Sequence, residues 1–359
     1  MIEIRRYTSK DKALWNEFVA HSKNATFLHN RDYMDYHSER FTDYSLMAFE
    51  DGKLKALLPA NIKGDAVYSH QGLTYGGWLM PLMHFNANTM MDIFQAMVDY
   101  FKEQGINKFI YKAVPHIFHK YPAEEDLYAL FRFGAREIIT NISSTVCRDC
   151  EKLPYSKSSV GTTLSRAKKS GVVVRQSDDY AAFWKILTDN LVNKYGVKPV
   201  HTLDEIMLLQ SRFPENIKLY MSYVGEEPAA GVVVYEHGNV IHLQYSSANE
   251  LGAETRALGY LFHELIDRVF LNNNIMKFTY KTRGTCCQAF DIEVEDGKLK
   301  DLAFYGGCDG NLQGICSLVR GMDIDTVIER LEGIRCGVKA TSCPDQLCQA
   351  LKQYKNTNI

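Results

Sequence analysis

No stretch of this sequence reaches the roughly 18 uninterrupted apolar residues of a membrane-crossing helix, and the longest helical candidates carry charge on one face. A membrane partner is therefore not expected. The amino terminus, Met1-Ile2-Glu3-Ile4-Arg5-Arg6, lacks the apolar stretch of a signal peptide. The expected compartment is the cytoplasm. An excess of charge of one sign is missing as well: 41 Lys+Arg against 43 Asp+Glu leave −2. That balance excludes the global basic field behind non-specific nucleic-acid binding, though not a local basic patch. With 46% hydrophobic and 23% charged residues, the composition also lacks the bias of disordered, collagenous or coiled-coil chains. A folded chain of 359 residues is expected to divide into two or three domains.

Cysteine is nearly absent from the first three quarters of the chain, where only Cys147 and Cys150 occur. Cys286, Cys287, Cys308, Cys316, Cys336, Cys343 and Cys348 crowd the last quarter. In a reducing compartment this points to metal ligation or thiol chemistry; burial as a small apolar residue is the plainer alternative. Cys147-Arg148-Asp149-Cys150 is a lone C-x-x-C followed by Glu151-Lys152-Leu153-Pro154. That continuation reads as a linker, not as the helix start that activates a redox thiol.

Strands are expected at Tyr44–Glu50 and Leu54–Asn61, which flank the hairpin signal Asp51-Gly52, and at Val67–Leu73. Met90, Ile93, Phe94, Met97 and Phe101 then recur at helical spacing between Asn88, the expected cap, and Gly105. Strand Lys108–Val114, a helix near Glu124–Phe131 and a strand near Glu137–Val146 complete this region. The middle third repeats the plan. A helix over Asp179–Tyr195 and a second one capped by Thr202-Leu203-Asp204-Glu205 precede strands Ile217–Val224, Ala229–Glu236 and Val240–Ser246. A helix from about Gly252 to Phe270 follows. The fold class expected is α+β, with similar modules at 1–150 and 151–275 and a cysteine-rich domain at 276–359. In the last domain, strands Lys277–Thr282, Ala289–Glu295 and Lys298–Tyr305 precede helices Asp309–Val319, Asp323–Leu331 and Ser342–Gln353.

The tandem resembles the FemAB-like branch of the GNAT acyltransferases over roughly residues 1–275. The residues that carry this include Trp15-Asn16-Glu17-Phe18-Val19, Asn24-Ala25-Thr26-Phe27-Leu28-His29, Ser69-His70-Gln71-Gly72-Leu73-Thr74-Tyr75-Gly76-Gly77, Arg166-Ala167-Lys168-Lys169-Ser170-Gly171 and His242-Leu243-Gln244-Tyr245. The resemblance implies two GNAT-like modules side by side. It also implies N-acyl transfer to a small-molecule amine acceptor, with acetyl-CoA, another acyl donor or an aminoacyl-tRNA as the donor. Such transfer needs backbone donors for the carbonyl oxygen and phosphates, and a group that accepts the amine proton. By this resemblance Gly252, Arg256 and Gly259 stand at the pyrophosphate loop, whereas a helix cap and a surface charge are the plainer reading. His242, Gln244 and Tyr245 are the catalytic candidates. Strand alternation puts His242 and Gln244 on one face and Tyr245 on the other. His70, Gln71 and Tyr75 form the matching substrate-binding set. All six are equally readable as satisfied interior residues. Arg166, Lys168 and Lys169 suit either a phosphate-rich donor or a solvated helix face. The second module's last helix and strand are missing from the sequence.

Residues 276–355 resemble a TSCPD domain through Thr341-Ser342-Cys343-Pro344-Asp345, Gly284-Thr285-Cys286, Gly306-Gly307-Cys308-Asp309-Gly310-Asn311 and Gly333-Ile334-Arg335-Cys336-Gly337. The expected fold is a small β-β-β-α domain, a type that also ends cobalamin-dependent ribonucleotide reductases. A faint likeness to iron–sulfur scaffold proteins of the IscU type follows from the same order of elements. Cys286, Cys308, Cys336 and Cys343 are the expected ligands of zinc or an iron–sulfur cluster, since four thiolates suit either. Cys287, Cys316 and Cys348 are expected to pack. The leading expectation is an acyltransferase fused to a metal-binding domain. The alternative is a non-catalytic or ribonucleotide-reductase or iron–sulfur accessory protein that works through its thiols.

Overall fold

A computed structural model describes residues 1–146, 157–238, 240–270, 276–295 and 297–357. The C-x-x-C pair at 147 and 150, the residues after it up to 156, Asn239 and Asp296 lie outside the described residues. The chain forms two compact units. Among the described residues, one comprises Met1–Thr145 and 157–262, and the other Val146 and the chain from His263.

The first half of the larger unit runs β1 (Ile2–Arg6), α1 (Lys12–His21), α2 (Arg31–Met34), β2 (Thr42–Asp43), β3 (Leu46–Glu50) and β4 (Lys53–Leu58). It continues through β5 (Asn61–Lys63), β6 (Ala66–Tyr68), α3 (Ala87–Glu103), β7 (Lys108–Ile110) and α4 (Glu125–Arg132). An antiparallel sheet has the order β1-β3-β4, and a mixed sheet the order β2-β5-β6-β7. The β3–β4 hairpin closes on Asp51 and Gly52 at φ 50° and 74°. Both residues are left-handed, as a two-residue turn matched to strand twist requires. β6 and β7 pair in parallel because α3 carries the chain back across the sheet. The stripe Met90, Ile93, Phe94, Met97 and Phe101 is buried as expected, but the cap of α3 is Asn86, whose side chain accepts from Thr89 N; Asn88 lies inside the helix. The strand expected near Glu137–Val146 is not formed: residues 135–146 run without regular structure.

The second half contains α5 (Lys157–Lys169), β8 (Val172–Ser177), α6 (Tyr180–Tyr195), α7 (Leu203–Arg212), β9 (Ile217–Val224), β10 (Glu227–His237) and β11 (Val240–Ala248), then α8 (Glu250–Thr255) and α9 (Ala257–Glu264). Its antiparallel sheet has the order β11-β10-β9-β8. Asp179 caps α6 through Ala182 N, Gly196 ends it at φ 65°, and Thr202 with Glu205 forms the capping box of α7. The single helix expected from Gly252 to Phe270 is broken. Arg256 adopts a left-handed conformation at φ 61° between α8 and α9, and π-helical turns follow at Leu265–Phe270.

Both halves of this unit share one core, in which Trp15, Leu28 and Tyr33 meet Phe183, Trp184 and Tyr235. The Tyr33 hydroxyl lies 3.3 Å from that of Tyr235. Arg212 donates to the Asp32 carbonyl at 2.7 Å, and Arg40 pairs with Glu205.

The smaller unit holds β12 (Met276–Lys281), β13 (Cys287–Glu295), β14 (Lys298–Gly306), α10 (Asp309–Val319), α11 (Ile324–Leu331) and α12 (Cys343–Thr357). Its sheet is an antiparallel meander of order β12-β13-β14. Phe290, Ile292 and Val294 alternate inward from β13 and join Leu312, Val327, Leu347 and Leu351 in one core, the period-2 pattern of a sheet covered on one face.

Candidate functional site

β11 does not pair evenly with β10. Val233 faces Tyr245 and Val234 faces Leu243, so Gln244 is an extra residue in a bulge. A bulge releases backbone groups from the ladder and re-aims side chains. Its effect corrects the expected alternation. Tyr235 faces His242 just as Val233 faces Tyr245, so His242 and Tyr245 lie on the same side of the sheet, the side packed against the shared core. Leu243 and Ser246 are exposed on the other side. Gln244 is half-buried beside both His242 and Tyr245, and its carboxamide oxygen is buried without a hydrogen-bond partner among the described residues.

Tyr245 and His242 have different neighbours. The Tyr245 hydroxyl stands 2.5 Å from His201 Nδ1, and its ring meets Trp184 edge-on. Burial raises the Tyr245 pKa, so the hydroxyl stays protonated at neutral pH. His242 lies 6.3 Å from Phe118, and burial lowers its pKa, keeping the imidazole neutral and able to accept a proton.

Of the set in the first half, Tyr75 reaches this region. Its ring lies 4.6 Å from Phe118, and its hydroxyl donates to Thr26 Oγ1 at 3.3 Å. His70 and Gln71 are engaged elsewhere. His70 is buried at φ 61° with its ring 5.3 Å from His37, and Nδ1 accepts the Gly72 N–H. Gln71 exchanges two hydrogen bonds with Asn61, at 2.8 and 2.9 Å. His237 was not among the site candidates. At the end of β10 it stacks on Phe27 at 4.8 Å and meets Phe118 at 5.2 Å. Both its ring nitrogens are buried without a partner, and burial lowers its pKa to about 3. Phe118, which joins Tyr75, His237 and His242, carried no sequence signal, because a lone aromatic residue beside Ile117 looks like any core residue.

The three glycine-loop candidates separate by role. Gly252 N–H is taken by Asn249 Oδ1 at 2.9 Å, and a Cβ there would meet the Ala229 carbonyl oxygen at 2.1 Å. Packing of α8 on β10 therefore explains this glycine. A Cβ on Gly259 would meet Thr163 of α5 at 2.9 Å, so Gly259 marks the contact of α5 with α9. Exposed Arg256 is the residue of the three free to meet an anion. It stands at the start of α9, where the N–H groups of Ala257, Leu258 and Gly259 precede the first helical bond, Tyr260 N to Arg256 O. Arg166, Lys168 and Lys169 are exposed at the end of α5.

In the smaller unit, the four thiols expected to act together lie in one region. Cys286 Sγ is 3.8 Å from Cys343 Sγ. Cys308 also hydrogen-bonds Cys286, and Cys336 is close enough to Cys308 to repel its thiolate. Hydrogen bonds from Cys343 and then Cys308 lower the Cys286 pKa, whereas burial raises that of Cys343 and the bond to Cys286 raises that of Cys308. Of these three, Cys286 is the preferred thiolate. In a tetrahedral ZnS₄ site with bonds of about 2.3 Å, sulfur atoms stand about 3.8 Å apart, as Cys286 and Cys343 do. Among the described residues, however, no three His, Cys, Asp or Glu side chains form a closed metal-holding group. The donor chemistry fits a thiophilic ion; the spacing of the full set does not yet close around one. Cys287 and Cys348 are buried and Cys316 is half-buried, donating to the Leu302 carbonyl at 3.0 Å.

Residues 276–355 match a model of the TSCPD domain. Residues 159–279 match a model of the acetyltransferase (GNAT) domain. The GNAT match runs from α5 into β12, while the TSCPD match takes in β12–β14, α10–α12 and all four thiols. No curated protein matches the chain. Among solved structures, FemX is similar at 10% identity and a TM-score of 0.43, covering 74% of this chain and 84% of its own. A conserved protein from Bacteroides thetaiotaomicron gives 11%, 0.46, 75% and 87%. The C-terminal domain of a putative lysylphosphatidylglycerol synthetase from Agrobacterium fabrum gives 11%, 0.43, 71% and 75%. No helix among the described residues is long and apolar enough to cross a membrane.

Proposed function

We propose that the GNAT-matching region transfers an acyl or aminoacyl group to an amine beside the β11 bulge. The observation that carries this reading is the bulge at Gln244: it frees peptide groups from the ladder next to a neutral imidazole, within a region that matches the GNAT domain. Donors held by a rigid strand stabilise a developing oxyanion without reorganising. The amine nitrogen attacks the donor carbonyl carbon, the donor's thiolate or ribose oxygen leaves, and His242 accepts the amine proton. Arg256 and the first turn of α9 take the donor's phosphates, with acetyl-CoA as the first donor to test and an aminoacyl-tRNA as the second. Gly252 is left out of that role because its N–H is already bonded.

The test is chromatographic detection of CoA released from acetyl-CoA in the presence of primary amines, run in parallel with transfer from radiolabelled aminoacyl-tRNA. The His242→Ala protein is expected to lose roughly 100-fold or more in rate, with donor binding retained. Absence of both donor binding and transfer overturns the assignment.

The TSCPD-matching unit is proposed to hold zinc or an iron–sulfur cluster through Cys286, Cys308, Cys336 and Cys343. The tetrahedral-edge spacing of Cys286 and Cys343 supports this. Native mass spectrometry of anaerobically purified protein is expected to give a mass excess equal to the metal, lost in the Cys308→Ser/Cys343→Ser protein. A metal-free wild-type mass removes the site.

A further inference from the structure

Residues 137–146, Glu-Ile-Ile-Thr-Asn-Ile-Ser-Ser-Thr-Val, have the composition of a strand and the surroundings of none. From Ile138 to Val146 no residue is charged, and six of the nine are Ile, Thr or Val. Their side chains are nonetheless exposed: Ile139 at 73%, Ile142 at 98% and Val146 at 60%. Among the described residues, no backbone hydrogen bond is made by 136–146. On α4, immediately before this segment, Phe131 is 76% exposed. An exposed, uncharged, β-branched segment whose backbone groups find no partner among the described residues is a template for strand pairing.

We propose that residues 138–146 pair antiparallel with the same residues of a second copy of this chain, forming a two-fold dimer. The sequence is self-complementary about Ile142. With Ile142 opposite Ile142, Ile138 falls opposite Val146 and Thr140 opposite Ser144, all on one face. The other face sets Ile139 opposite Thr145 and Asn141 opposite Ser143. A two-fold axis demands such matching of a segment with itself. The absence of charge between 138 and 146 removes the like-charge repulsion that self-pairing otherwise meets. The pairing also satisfies backbone donors and acceptors that have no partner among the described residues, and it covers the exposed isoleucines.

The test is sedimentation velocity on the full chain across a dilution series up to about 100 µM. The wild-type protein is expected at twice the chain mass of 41.0 kDa. Ile142→Lys sets two ammonium groups opposite each other on the axis and is expected to raise the dimer dissociation constant roughly 100-fold or more. Ile138→Lys is expected to weaken the dimer, and Ile138→Lys/Val146→Glu to restore it, because this register pairs the two positions. Since these side chains are exposed in the single chain, unchanged thermal unfolding of the variants separates loss of pairing from loss of fold. A monomeric wild type, a dimer that survives Ile142→Lys, or a double variant no better than Ile138→Lys would each overturn the proposal.

Discussion

Gly252 shows how a glycine in a promising position can serve packing. Its missing Cβ lets α8 lie against β10, where the Ala229 carbonyl oxygen would stand 2.1 Å from an added carbon. Backbone cannot move aside as a flexible side chain can, so Gly252→Ala is expected to cost about 1–3 kcal/mol. Urea unfolding followed by fluorescence measures it, and a change within about 0.5 kcal/mol sinks the packing explanation. Gly259 is the contrasting case, since its obstacle is the Thr163 methyl group. At this scale the sequence named His242, Gln244 and Tyr245 but put Tyr245 on the face opposite His242, which the bulge reverses. Strict alternation holds only while a strand stays in register, and nothing in His-Leu-Gln-Tyr announces that Gln244 is skipped. His237 and Phe118 were missed because each becomes informative only through the rings that surround it.

Among the elements, the break between α8 and α9 carries the sharpest consequence. Apolar periodicity runs through 252–270 and suggests one helix, yet Arg256 at φ 61° ends α8 and opens α9. A side chain in the left-handed region costs about 1 kcal/mol relative to glycine. Arg256→Gly is therefore expected to stabilise the protein by about that amount while weakening acetyl-CoA binding roughly tenfold. Calorimetric titration beside thermal unfolding separates the two effects, and unchanged CoA affinity would remove Arg256 from the donor site. Caps and two-residue turns were legible because they are local: Asp179, Gly196, Thr202 with Glu205, and Asp51-Gly52 all sit where their chemistry puts them. The segment 137–146 was legible as a strand by composition, but a strand also needs a neighbour, and none pairs with it among the described residues.

For the molecule as a whole, the dominant electrostatic feature is a set of histidines held neutral in the larger unit. Burial lowers the pKa of His29, His37 and His201 to about 4 and that of His70 and His237 to about 3. An unfolded histidine titrates near 6.5, so below that pH the unfolded chain binds more protons than the folded one. Stability is therefore intact above pH 6.5 and falls as pH drops towards 4 and then 3, by about 1.4 kcal/mol per unit for each such group. Five acting together are expected to unfold this unit near pH 5 (roughly). Trp15, Trp78 and Trp184 all lie in it, so tryptophan fluorescence during acid titration reads this unit alone. A midpoint in the carboxylate range, below about pH 4, is the contrary result.

The α+β class, the helices α3, α6 and α7, the caps at Asp179 and Thr202, the Asp51-Gly52 turn, the cysteine-rich tail and the two domain resemblances were determined by the sequence itself. They rest on spacing, capping and turn chemistry within a few residues, or on motifs that survive as strings. Tertiary structure alone decided that Gln244 bulges and turns Tyr245 towards the core, that Gly252 packs instead of binding, and that Phe118 joins Tyr75 to His237 and His242. It also brought Cys286 within 3.8 Å of Cys343, 57 positions away. These are pairings between distant segments, and a register or a ring contact depends on both partners at once, which no local pattern encodes.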